Sequence, residues 1–197
     1  MTGVPRERAP RSDAIRNRDA ILDAAARCLA SNPAATLAEI AAAAGIGRVT
    51  LYGHFSSRQE LTAAMFERQM GLIEQEIAAV ELGGEVWAAL DALIASSWRL
   101  LRDNNILLGA VEHSISADHI RESHDRPMER VHALLQRGRE AGAFRADQSV
   151  AWQVACFYAI LHAAAAEVRA ERLTEIVAAD VVPQTVRAIL TPAVPTR

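Results

Sequence analysis

Arg48, Val49, Thr50, Tyr52 and His54 crowd into one short segment, and their side chains suit recognition better than bond-making. An arginine fork can pair with both acceptors of a guanine edge, while valine and threonine methyl groups can meet the methyl of thymine. Between and beside them, Ile46, Leu51 and Phe55 recur at the spacing of one buried helix face. The polar residues are thereby left to point elsewhere.

The elements that must carry this segment are legible around it. Thr36 and Glu39 form an S/T-x-x-E capping box, so a helix can begin there with its first amides satisfied. Leu37, Ile40, Ala41 and Ala44 give that helix one apolar face, and Gly45 supplies the left-handed residue that ends it sharply. Ser57 and Glu60 make a second capping box for a third helix. Two short helices about a glycine turn form a helix-turn-helix, whose second helix enters the DNA major groove.

The run Thr-Leu-Tyr-x-His-Phe-x-Ser-Arg-x-x-Leu, preceded by Ile-Ala-x-x-Ala-Gly-Ile, resembles the DNA-binding domain of TetR-family transcriptional regulators over roughly residues 16–62. The remainder is similar to the family only in length and helical layout. Gly47 departs from the serine or threonine that commonly caps the recognition helix there, at a cost of only a few tenths of a kcal/mol. The resemblance implies that Arg48, Val49 and Thr50 face bases and that Thr36, Tyr52, His54 and Arg58 hold phosphates. It also implies a ligand cavity in a second, helical domain, enclosed by helices on which Met70, Trp98, His113, Met128 and His132 lie. Trp98 is the preferred pocket residue, because Ser96, Ser97 and Arg99 leave a polar handle beside it. Few charges fall on inward faces there, so an apolar or aromatic ligand is expected.

Composition fits an all-α chain: half the residues are hydrophobic, alanine is prominent and β-branched runs are scarce. The net charge is −3, but residues 1–60 carry eight arginines against six acids, whereas residues 61–197 carry thirteen against eighteen. The basic end is the helix-turn-helix end, as a phosphate-facing module requires. There is no lysine, which carries no functional reading. Cys28 and Cys156 read as buried free thiols in a reducing cytoplasm. Residues 1–13 lack the apolar core of a signal peptide. The uncharged stretch from Gln148 to Ala166 is interrupted by Ser149, Gln153 and His162, and reads as an interface helix rather than a membrane span. Glu112, His113, Asp118, His119, Glu122, His124 and Asp125 lack metal-ligand spacing and read as solvated surface. No cofactor is expected. A helical-bundle enzyme is the rival class, but no phosphate loop, nucleophile elbow or spaced ligand set supports it.

The expected organisation is a disordered basic arm (1–12), a helix-turn-helix domain (13–62), and an effector-binding and dimerisation domain (63–197). Helices are expected over about 13–30 and 58–80, then beyond a break at Gly83-Gly84, where Trp87, Leu90, Ile94, Trp98 and Leu101 recur at helical spacing, then near 106–114, and from Pro127 to Gly142. Asp147 is expected to cap a helix to about Arg172, and the last helix to restart near Asp180, because Pro183 suits only a first turn. One recognition helix reads few bases, so a homodimer on a pseudo-palindromic DNA operator is expected. Ala155, Ala159, Ala163 and Ala166, with Val182, Val186, Ile189 and Leu190, are the expected interface. A repressor released from that operator by a small-molecule effector is expected; an activator or an effector-independent regulator are the alternatives.

Overall fold

The computed structural model describes residues 10–104 and 122–192, and among them it contains eight helices and no strand. These are α1 (Pro10–Ser31), α2 (Leu37–Ala43), α3 (Arg48–His54), α4 (Arg58–Ala78), α5 (Val86–Asp103), α6 (Asp125–Glu140), α7 (Val150–Arg169) and α8 (Glu175–Leu190). The chain divides into two compact units, one running to Arg68 and the other beginning at Gln69, so α4 starts in one and ends in the other. Residues 1–9 of the expected arm, the helix expected near 106–114, and Glu112, His113, Asp118 and His119 lie outside the described residues, whereas residues 10–12, expected in the disordered arm, are the first residues of α1.

In the first unit, Ile21, Leu22, Ala25 and Leu29 of α1 meet Ile40 and Ala41 of α2, Leu51 and Phe55 from α3 and its end, and Leu61 and Met65 of α4. Two long-range contacts tie α1 down further. Arg68 pairs with Asp23 at 2.8 Å, and the Arg18 guanidinium sits 4.6 Å from the centre of the Phe55 ring.

In the second unit α7 is the central helix, packed against α5, α6 and α8. It is long and apolar enough by composition to cross a membrane, but Val154, Phe157, Leu161 and Ala165 are buried in this unit's own core. Ser149, not Asp147, caps it, accepting the Trp152 N–H at 3.2 Å. Asp147 is instead taken fork-to-fork by Arg145, at 2.7 and 2.5 Å. The restart expected near Asp180 is also corrected. Thr174 caps α8 by accepting the Val177 N–H, and the helix continues through Pro183. The proline ring removes the helical bond to the Ala179 carbonyl, and Ala179 is exposed, so water can satisfy it.

Three glutamates serve the helix starts. Glu39 closes the expected box with Thr36: its carboxylate accepts the Thr36 N–H at 2.7 Å, and its own N–H donates to the Thr36 hydroxyl at 3.3 Å. The second box is split: the Glu60 N–H donates to Ser57 as expected, but the Glu60 carboxylate accepts from the N–H and hydroxyl of Ser56. Glu85 caps α5 by accepting from Trp87 and Ala88. These bonds hold all three carboxyls below the ordinary glutamate range: the Thr36 N–H first for Glu39, the Ser56 hydroxyl for Glu60 and the Trp87 N–H for Glu85. A pKa depressed in the folded state adds stability above the unfolded value and loses it as pH falls through the folded one. The thermal midpoint is therefore expected to drop as pH falls below the ordinary glutamate range, with a shallower slope in Glu39→Gln. A midpoint constant across that range would contradict the capping assignment.

Candidate nucleic-acid interface

The turn that presents α3 is built from backbone. Past α2, Ile46 N–H donates to Ala41 O at 3.0 Å and Gly45 N–H to Ala42 O at 3.1 Å. With Gly45 at φ +69°, this is a Schellman motif, and only a glycine takes that conformation without strain. Gly47 then opens α3 in an extended conformation with no side-chain cap. Leu51 and Phe55 are fully buried, which fixes the rotation of this seven-residue helix and turns its other residues outward.

Those outward residues are the ones the sequence singles out. Val49 is 87% exposed and Tyr52 54%; Arg48 and Thr50 are exposed too, and His54 is half-buried with its ring 6.5 Å from that of Phe55. An 87%-exposed valine on a helix whose other face is fully buried has an apolar group presented to solvent. A thymine methyl is one group that could desolvate it.

Arg58 and Thr36 stand differently. The Arg58 guanidinium donates to the backbone carbonyls of Pro33 and Ala35, latching the α1–α2 loop to the start of α4. Thr36 uses its hydroxyl both to accept from Glu39 N–H and to donate to the Glu39 carboxylate at 2.8 Å. Both residues shape the approach to α2 and α3. No local signal could have shown the Arg58 latch, because its partners lie 23 and 25 residues away. Arg58→Ala is expected to lower stability by about 1–2 kcal/mol, since a planar fork holding two carbonyls is lost. Arg58→Lys should recover little, because an ammonium cannot reproduce that fork. A full rescue by lysine in a thermal melt would contradict the latch.

In the second unit, Met128 and His132 line a common groove with Asp125, Glu129, Ala151 and Val154. Trp98 is buried in the core cluster with Leu90, Ile94 and Phe157, and Met70 is buried as well. His113 lies outside the described residues.

The expected interface residues part company. Ala155, Ala159 and Ala163 form an exposed stripe on α7, with Ala166 half-buried at its end. Val182, Val186 and Leu190, by contrast, are buried in the core of their own unit, and Ile189 packs against it. With Ala178 they follow a four-residue period whose stripe faces inward, held there by the Arg187–Asp91 pair between α8 and α5. The outward apolar residues of α8 are Ile176, Val177 and Val181, and Trp152 of α7 is 58% exposed.

Residues 21–65 match the model of the bacterial regulatory proteins, tetR family. The chain is 33% identical over 150 residues to the HTH-type transcriptional repressor LfrR of Mycolicibacterium smegmatis, covering 75% of this chain and 77% of that protein. Among solved structures, LfrR in complex with proflavine is similar with a TM-score of 0.66 and 25% identity, covering 93% of this chain and 98% of that one. A TetR transcription regulator from Haloarcula marismortui shares the fold with a TM-score of 0.75 at 18% identity, over 89% of this chain and 97% of its own.

Proposed function

Because the chain belongs to the TetR family of bacterial regulatory proteins, and so is a DNA-binding transcriptional regulator, we propose that it is a cytoplasmic, ligand-released repressor. It binds a two-fold operator as a homodimer and leaves it when a small molecule occupies the second unit. The observation that carries DNA reading is the face of α3: Arg48, Val49, Thr50 and Tyr52 exposed on a helix whose rotation Leu51 and Phe55 fix. In this reading Arg48, Val49 and Thr50 meet base edges, while Tyr52 and His54 meet phosphates. Arg58 and Thr36 act through the loop and cap they hold.

Assembly rests on the outward stripe of Ala155, Ala159 and Ala163, where small side chains let a partner helix approach closely. Trp152 of α7 and Val177 and Val181 of α8 supply the apolar area in place of Val182, Val186 and Leu190. The effector is supported by the relative crystallised with proflavine and by the groove at Met128 and His132. Coupling requires that the ligand favour one spacing of the two recognition helices, since equal affinity for both states shifts nothing.

Arg48→Ala tests the base-reading role. It is expected to cost about 1–3 kcal/mol on the operator and to relax preference at one base position in each half-site. Competition binding against random duplex at fixed salt checks this. Equal losses on operator and random DNA would remove Arg48 from base reading.

A further inference from the structure

Gly45 and Gly53 bracket the recognition surface, and the subunit itself needs only the first of them as glycine. Gly45 takes the left-handed conformation of the turn. Gly53, inside α3, is not among the glycines with a positive φ, and a Cβ built on it would meet nothing within 4 Å. Glycine also weakens a helix interior relative to alanine, so nothing within the subunit favours it there. Gly53 lies two residues after Leu51 and two before Phe55, both fully buried, and residues two apart fall on opposite sides of a helix. It is therefore the point of α3 turned most directly away from the core. Val49 precedes it by four residues and Thr50 by three, so the three share one exposed face. That face carries two short, methyl-bearing side chains and a bare Cα. A short side chain touches a base edge only if the helix backbone itself comes close, whereas Arg48 can reach across a gap.

We propose that Gly53 is a specificity-determining position: its missing side chain lets α3 seat deeply enough in the major groove for Val49 and Thr50 to touch thymine methyls. The proposal rests on the base-reading role given to α3 above. A side chain at this position would fall between the helix and the DNA and hold the two apart. A gap of about 0.5–1 Å already forfeits a quarter to a half of a van der Waals contact. Attraction between charges falls only with the inverse of distance, so contacts to phosphates survive the same displacement. Seating depth thus bears on which sequence is bound far more than on whether DNA is bound.

The test compares the full chain with Gly53→Ala and Gly53→Leu on three duplexes: one enriched from a random pool, a random duplex, and the enriched duplex with deoxyuridine for thymidine, which lacks only the methyl. Alanine and leucine are similar helix formers, so their difference isolates size from helix stiffness. Gly53→Leu is expected to weaken binding to the enriched duplex about thirtyfold and Gly53→Ala about threefold, with random-duplex affinity changed by less than about threefold. Thermal midpoints should stay at or above that of the wild type. Deoxyuridine should weaken the wild type but leave Gly53→Leu nearly unaffected. Equal losses in the two variants, a deoxyuridine effect that persists in Gly53→Leu, or a lower midpoint in Gly53→Ala would overturn the proposal. So would a Gly53→Leu chain that binds the enriched duplex like the wild type, and that result would leave base reading by α3 standing. A wild type that does not prefer the enriched duplex overturns base reading, and this proposal with it.

Discussion

Replacing Ala159 with glutamate is expected to give a monomer that still folds and binds its operator at least 100-fold more weakly. Ala159 is exposed in the middle of the alanine stripe of α7, so the substitution costs the single subunit little. Across a two-fold axis the same change sets two like charges against each other where they must also lose water. Burying unpaired charge of that kind is among the few single changes that cost several kcal/mol. Loss of the dimer then removes the second half-site from every encounter, and a 100-fold weakening corresponds to about 2.8 kcal/mol. Sedimentation and a thermal melt check both halves. An unchanged dimer mass would move the interface off this stripe.

Gly138→Ala is expected to destabilise the second unit by about 1–3 kcal/mol, although alanine is the better helix former. A Cβ at Gly138 would lie 2.0 and 2.2 Å from two carbons of the Phe144 ring. Phe144 is buried and meets Trp87 edge-on at 4.6 Å, so its ring has nowhere to retreat. Overpacking of this kind outweighs the gain of up to about 1 kcal/mol from helix propensity. Gly71→Ala on α4, where an added Cβ meets nothing within 4 Å, should instead stabilise slightly. A higher midpoint for Gly138→Ala would show that Phe144 can move.

The contrast between the two units explains what the sequence could reveal. Around α2 and α3 every device is local: the Thr36–Glu39 box spans four residues and the Schellman turn six, so both are legible from spacing alone. The Arg58 latch and the Arg18–Phe55 contact join residues far apart in the chain, and no periodicity announces them. On α8 the valine and leucine stripe was visible, but a stripe says only that a face is buried, not whether by its own subunit or by a partner. Arg187, which pairs with Asp91 on α5, decides that question, 96 residues away. Pro183 misled because proline usually marks a helix boundary, whereas here it stands beside an exposed turn that tolerates the missing bond.

The claim that α3 reads DNA as half of a two-fold pair is tested most directly by selecting duplexes from a random pool with the full chain at physiological salt. The predicted result is one enriched, pseudo-palindromic site whose half-sites lie one helical turn apart, roughly 34–36 Å centre to centre, or a whole multiple of it. A pool that stays random after repeated selection, with retention set by salt alone, would contradict it.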